Sequence, residues 1–301
     1  MAKFVYFTDF HYGSNPVSRK DNYNKSLLNK LEFVLKYAKK HNLTVLHGGD
    51  LFDKPIIPMN ILLDLISMLL KYKDVRFISL RGNNNHDGHI EHSPLRLLDE
   101  TSVIETSDYK DYIDFDDCRI IFADNNTDPN TRDEHLSKSK YNILMTHHII
   151  VENPTIYNHH LISELKTKAN LVLIADYHPK QGIITRDDGV IFVSPGAMAR
   201  RKRTKHEINR VPNCVFIDTE TEKIEMIDVP VEHDIWSNDK MIVKPVEVDT
   251  KEHVKMMCKL IDDEDVFNGS ISNLIEGFAK KVKVGNNVLK FILKRLEDGK
   301  N

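Results

Sequence analysis

Leu43-Thr44-Val45-Leu46-His47-Gly48-Gly49-Asp50-Leu51-Phe52-Asp53 sets an apolar run against a glycine pair and two carboxylates. A run this short and apolar reads as a buried strand, and the glycines let the chain turn where it ends. Asp50 then stands beyond the strand's carboxyl end, where ligand sites gather in α/β sheets. The arrangement recurs along the chain. Upstream, Lys3 to Thr8 runs into Asp9-Phe10-His11. Downstream, Val75 to Leu80 leads to Asn83-Asn84-Asn85-His86-Asp87, Tyr141 to Met145 to Thr146-His147-His148, and Leu171 to Ile174 to Asp176-Tyr177-His178.

Helical periods separate the early strands. Leu27, Leu28, Leu31, Val34, Leu35 and Ala38 form one apolar face of a helix over Asn24 to Lys40. Pro58 opens a second helix, with Leu62, Leu63, Ile66, Leu69 and Leu70 as its expected buried stripe. Cys118 to Ala123 is a further strand. Ile183 to Val193 reads as a hairpin turning at Asp187-Asp188-Gly189, and Cys214 to Ile227 as another, turning over Thr219 to Glu222. Strand–helix alternation implies parallel pairing, and the hairpins imply antiparallel additions. The expectation is an α/β protein, a mixed β-sandwich flanked by helices, over residues 1–235. Apolar spacings from Val254 to Leu296 predict a small helical C-terminal region, 236–301.

Composition narrows the class. The chain has 301 residues, 41% hydrophobic and 29% charged, with a net charge of −3. Such a balance excludes a globally basic nucleic-acid binder, so any such contact uses a local patch. No apolar run approaches the roughly 20 residues of a membrane helix, and no signal peptide opens the sequence, so no membrane association is expected. The 3 cysteines are far apart without a CxxC pair and read as reduced thiols, which fits a cytoplasmic protein.

The 15 histidines are many for this length, and several sit in the five clusters. Carboxylate, imidazole and amide oxygen together suit Mn²⁺, Fe or Zn²⁺. Side chains two apart on extended chain point the same way, so Asp9 with His11, and Asp176 with His178, can each reach one centre. A carboxylate such as Asp50 can bridge two cations. Two cations about 3.5–4 Å apart can clamp a phosphoryl group and activate water for in-line attack.

In this order the clusters resemble the calcineurin-like metallophosphoesterases, whose pattern runs D-x-H, G-D-x-x-D, G-N-H-D/E, a lone His, then G-H-x-H. Gly49-Asp50-Leu51-Phe52-Asp53 and Ser194-Pro195-Gly196-Ala197 are most similar to the SbcD-type DNA-repair exonucleases. The resemblance implies two divalent metal ions, Mn²⁺ foremost. It implies Asp9, His11 and His178 as ligands of the first, Asp50 as the bridge, and Asn85 and His147 as ligands of the second. Asp176 stands where a second-metal histidine is expected, a harder donor that favours Mn²⁺ over Zn²⁺. His86, with Asp87 beside it, is implied as the catalytic group that contacts phosphate and protonates the leaving alkoxide. Two alternatives stay open. The third motif has two extra residues, so Asn83 competes with Asn85, and His148 competes with His147.

Other residues carry weaker readings. Asp53 is either an exposed turn residue or a carboxylate that orients a ligand histidine. His159 and His160 read as surface residues. Arg200-Arg201-Lys202-Arg203 is a dense basic run, either a solvated loop or a contact to nucleic-acid phosphates. The expectation is a two-metal phosphodiesterase acting on DNA. By the same resemblance an SbcC-type ATPase partner and a homodimer are implied. A small-molecule or nucleotide phosphodiesterase or phosphatase is the alternative, and a non-catalytic scaffold of the same fold is the second.

Overall fold

The computed structural model describes residues 2–237. The expected C-terminal region, apart from Trp236 and Ser237, lies outside the described residues, and with it the expected partner-binding helices.

The first half of the chain alternates strand and helix: β1 (Lys3–Phe7), α1 (Tyr23–His41), β2 (Thr44–His47), α2 (Met59–Lys71), β3 (Phe77–Ser79), α3 (Pro94–Glu100) and β4 (Glu105–Thr106). Strands then dominate: β5 (Tyr112–Asp114), β6 (Cys118–Ala123), β7 (Tyr141–Thr146), β8 (Ile150–Val151), β9 (His160–Leu161), β10 (Leu171–Ile174), β11 (Gly182–Thr185) and β12 (Ile191–Ser194). The short α4 (Lys205–Asn209) precedes the β13 (Asn213–Asp218) and β14 (Lys223–Asp228) hairpin. One sheet has the order β14-β13-β1-β2-β3-β4 and the other β11-β12-β10-β7-β6-β5. β1 through β4 are mutually parallel, as are β6, β7, β10 and β12. The antiparallel strands β5, β11, β13 and β14 are added outside them. Both hairpins fall where the sequence places them.

Alternation along the strands builds three layers of core. Phe4 and Tyr6 of β1 pack between the sheets with Leu46, Ile78, Ile120, Phe122, Ile143, Met145 and Leu171. Val5 and Phe7 turn the other way, onto Leu27, Leu31, Leu35, Leu62 and Leu65 of the helices. The outer face of the second sheet buries Leu144, Val172 and Phe192 under Ile150, Ile162 and Leu165. The result is the expected mixed α/β sandwich.

α1 begins where Asn22 accepts a hydrogen bond from the Lys25 amide (3.0 Å), satisfying a free helix donor. It ends at Asn42 in the left-handed conformation, with Lys39, Lys40 and His41 in a last turn whose dipole favours cations. α2 differs from expectation. Leu62, Leu65 and Leu69 are buried, whereas Leu63 and Leu70 are 51% and 49% exposed. Ile61, Leu63, Leu65, Ile66, Leu69 and Leu70 make the helix apolar nearly all round, so period alone does not set its phase. Contact with the sheet does. α3 was absent from the sequence reading, although Ser93-Pro94 supplies its N-cap and first-turn proline. No helix among the described residues is long and apolar enough to cross a membrane.

Parallel pairing sets the carboxyl ends of β1, β2 and β3 side by side, and likewise those of β7 and β10. The two groups are tied together. The His147 Nδ1 after β7 hydrogen-bonds the Gly48 carbonyl after β2 (2.8 Å), and the Met198 amide donates to Thr8 after β1 (2.9 Å). All five polar clusters therefore meet at one end of the sandwich. Leu65→Ala should lower unfolding free energy by about 2–5 kcal/mol in denaturant titrations, while Leu63→Ser stays within about 0.5 kcal/mol. Equal losses would put the helix in the other phase.

Candidate metal centre

Four residues of the clusters have a backbone that side-chain-bearing residues avoid. Asp9 (φ 52°), His11 (φ 48°), Asp50 (φ 55°) and Asp176 (φ 67°) are left-handed, half of the 8 such non-glycine residues described. Each costs on the order of 1–3 kcal/mol and persists only where surrounding structure imposes it. Here the surroundings are hydrogen bonds between strand ends: Asp9 amide to Gly49 carbonyl (3.1 Å), His11 amide to Asp50 carbonyl (2.9 Å), Ala199 amide to Asp9 carbonyl (3.1 Å). Gly49, at φ 104°, lies where a Cβ would stand 2.5 Å from His147 Nδ1, so no side chain fits. Concentrated strain of this kind marks a site.

The side chains converge as three overlapping groups, two of them sharing Asp9 and the third made of His11, Asp53 and His86. Asp9, His11 and His178 offer ligand atoms within 4.8 Å of one another, and so do Asp9, Asp50, His147 and Asp176. His11 Nε2 lies 3.1 Å from His178 Nε2, and Asp9 Oδ1 lies 3.6 Å from the latter. Asp50 faces both groups that share Asp9: its Oδ2 is 3.9 Å from His11 Nε2, and its Oδ1 is 3.4 Å from His147 Nε2. Asp176 Oδ1 is 3.8 Å from His147 Nε2. Asp50 thus stands between these two groups, one oxygen toward each.

The donor set fits such ions. Asp9 Oδ2 accepts from Thr8 Oγ1 and from the Asp176 amide, but Asp9 Oδ1, fully buried, has no hydrogen-bond partner among the described residues. An orphaned buried carboxylate oxygen is costly unless a cation meets it. Nitrogen and oxygen donors without thiolate match Mn²⁺, Fe or Zn²⁺, and Cys118 and Cys214 are free and buried outside both groups.

Charge states follow from burial and neighbours. Burial pushes His11 well below its ordinary value, leaving it neutral with a lone pair to offer. His147 is pulled down by burial, but the Asp50 carboxylate outweighs this and holds it well above its ordinary value. Burial raises Asp50 while the His147 charge lowers it, with a net value of about 2. His147 must therefore surrender a proton before Nε2 can act as a ligand, so cation uptake releases protons.

Of each pair left open by the sequence, the structure places one member at the centre. Asn83, not Asn85, reaches the centre: its side-chain amide lies 3.3 Å from Asp50 Oδ2 and 3.2 Å from both His147 Nε2 and Asp176 Oδ1. The Nδ2 is the atom that faces these groups, and a half-turn of the amide would bring its oxygen toward a cation held there. Asn85 is exposed. The two extra residues are absorbed after Asn83, in a turn where the His86 and Asp87 amides both bond the Asn83 carbonyl at 2.9 Å. Gly82-Asn83 thus keeps the motif's adjacency, and the insertion falls between Asn83 and His86. His147 is the buried imidazole at the centre, whereas His148 Nδ1 pairs with Thr146 Oγ1 (2.8 Å) and its ring turns toward His160.

Asp87 does not face the cleft. It is fully buried, and its carboxylate accepts from the amides of Gly82 (2.8 Å), Asp50 (2.9 Å) and Phe52 (3.0 Å). Burial, then the Asp50 charge, pushes it up to about 6. Asp87 is a clamp between two loops rather than a catalytic group. His86 donates from Nδ1 to the Asp53 carbonyl (2.8 Å), which leaves Nε2 3.8 Å from Asp50 Oδ2. Asp53 is no bare turn residue either, since its carboxylate lies 3.5 Å from His11 Nδ1 and is ion-paired with Arg201.

The basic run divides. Arg200 is buried and bonds the Asp234 carboxylate (2.8 Å) together with Arg19 (2.7 Å) and Lys30 (2.7 Å). Its role is structural, and sequence gave no sign of Asp234 so near. Arg201 and Lys202 line an open cleft of about 540 Å³ with Asp50, Asn83, His86 and His178. Arg200 and Arg203 do not line it. Missed from the sequence were Ile149, Tyr157, Tyr177 and Pro179, which line the same cleft. Tyr177 was legible inside its cluster, but nothing local marks Tyr157.

A double-sheet α/β fold with carboxylate, imidazole and amide groups at abutting strand ends defines a hydrolase centre for divalent cations. The chain belongs to the calcineurin-like phosphoesterase family, whose model matches residues 2–180. That span holds every residue of both cation-holding groups and ends just past His178. Comparison with curated proteins gives no match.

Asn83→Ala should weaken Mn²⁺ binding, measured calorimetrically, by more than the roughly 10-fold typical of outer-shell losses, while Asn85→Ala leaves it unchanged. Asp234, raised by burial but lowered more by Lys30, titrates at about 2 when folded, against about 3.9 unfolded. Its depressed value means its contribution is full above about pH 4 and vanishes as pH falls toward 2. Asp234→Asn should cost about 3–5 kcal/mol at pH 7, and the gap from wild type should narrow by about 2–3 kcal/mol with acid over that window. A gap constant with pH would show that the carboxylate charge is not what matters.

Proposed function

We propose that this calcineurin-like phosphoesterase hydrolyses phosphodiester bonds of DNA and uses two divalent cations, Mn²⁺ foremost. The observation that carries the reading is Asp50, with one oxygen toward each cation-holding group, at the floor of a cleft rimmed by His86, Arg201 and Lys202. Asp9, His11 and His178 would hold one ion, Asn83, His147 and Asp176 the other, and Asp50 both. Bound there, divalent cations supply Lewis-acid polarisation of phosphoryl oxygens and acidify water. Asp176 in place of an imidazole adds a hard oxygen donor, which favours Mn²⁺ over Zn²⁺.

The chain's own groups supply the rest. His86 has its Nδ1–H fixed on the Asp53 carbonyl, so Nε2 is the atom free to face substrate, and from the imidazolium form it would give a proton to the departing alkoxide and be left neutral. Arg201 is oriented by Asp53 and meets phosphate charge as substrate enters, with Lys202 beside it. Two such cations on the rim of an open cleft suit a polyanionic strand. A small phosphodiester fits the cleft volume too, which lies in the ordinary range for small ligands, so the test compares the two.

A labelled DNA strand should be cut in Mn²⁺ and remain whole after chelation. His86→Asn should lower kcat by about 10²- to 10⁴-fold with Mn²⁺ affinity unchanged. Turnover of bis(p-nitrophenyl) phosphate with DNA left intact would sink the DNA assignment. Unchanged kcat in the His86 variant would remove its acid role.

A further inference from the structure

We propose that Tyr157 stacks one unpaired nucleobase at the mouth of the cleft, so that the substrate is taken as a single strand. The inference rests on the DNA reading above and narrows it to a strand type.

Tyr157 lies in the loop between β8 and β9, well outside the five motif clusters, yet lines the same cleft as Asp50, His86 and His178. It is 58% exposed, and its neighbour Ile156 is 82% exposed. Within the loop His159 Nδ1 donates to the Tyr157 carbonyl (2.6 Å), a backbone contact that leaves the ring free. Among the described residues none hydrogen-bonds the Tyr157 hydroxyl. Ile149, Tyr177 and Pro179 continue the apolar lining, all from loops of the second sheet, while Arg201 and Lys202 come from the segment after β12.

One cleft thus combines cationic groups suited to phosphate with aromatic and aliphatic groups suited to a flat, apolar face. A nucleotide has both parts in covalent reach of each other. Within a duplex both faces of a base are covered by its neighbours, whereas an unpaired base offers a face to a tyrosine ring. Stacking of this sort tolerates any base, since each has a π-face, so no sequence preference is expected. Tyr157 is the residue to change, because Tyr177 lies between two members of the metal groups.

The test follows Mn²⁺-dependent cleavage of an oligothymidylate, an abasic oligomer of equal length and a blunt duplex. Wild type should show its lowest KM on oligothymidylate. Tyr157→Ala should raise that KM roughly 5- to 100-fold, the loss of one base–aromatic stack, with little change in kcat. Tyr157→Phe should restore it, and KM on the abasic oligomer should not respond to either change. An unchanged KM on oligothymidylate, an equal rise on the abasic oligomer, or a duplex KM as low as the single strand's overturns the stacking role while DNA cleavage stands. Failure to cut any of the three, with bis(p-nitrophenyl) phosphate still hydrolysed, overturns the DNA reading and this inference with it.

Discussion

Asp50 lies between two imidazoles, His11 on one oxygen and His147 on the other, itself almost wholly buried at the edge of the cleft. Asp9 and Asp176 bring further carboxylates to the same few ångströms. Like charges so close and so buried repel strongly unless positive charge sits among them. Against the pull of burial, the Asp50 carboxylate accordingly holds His147 well above its ordinary value, and with it a proton that a cation at Nε2 would displace. Divalent ions would supply positive charge there, and Asp9 Oδ1, which has no hydrogen-bond partner among the described residues, is an oxygen that could meet one.

Holding such a cluster requires loops that do not relax. Asp87 binds three amides from two loops at once, and its burial makes that clamp costly to open. The left-handed Asp9, His11, Asp50 and Asp176 are sustained by hydrogen bonds that cross from strand end to strand end. Both sheets take part, with β2 and β7 joined through Gly48 and His147. The centre is therefore built where the two sheets meet, over a three-layered packed core.

The basic run shows how one stretch of sequence serves two ends. Arg200 turns inward to Asp234, which Arg19, Lys30 and Ser26 also engage, and the next residue turns outward to Asp53 and the cleft. Anchoring the first arginine fixes where the second can reach. Asp53 links this pair to chemistry, with its carboxylate near His11 and its carbonyl holding His86.

Much of this was legible in the order of residues. Short apolar runs, each closed by polar residues of metal-binding type, are a local signal, because strand burial and the turn beyond it depend on near neighbours. The hairpin turns, the face of α1 and the clusters that hold Asp9, His11, Asp50, Asp176 and His178 were readable on those grounds, whereas His147 and His148 stayed open. What was not readable depends on groups far apart in the chain. Whether Asn83 or Asn85 points inward depends on how a two-residue insertion coils against Asp50, 33 positions earlier. Leu63 and Leu70 face outward because the sheet chooses one side of a helix that is apolar all round. Arg200 is structural because Asp234, 34 residues later, lies beside it, and Tyr157 reaches the cleft only through the path of its loop. Sequence alone determined which chemical groups the protein has and which strands carry them. Tertiary packing decided which of them face one another, since side-chain direction is set by contacts that no local pattern encodes.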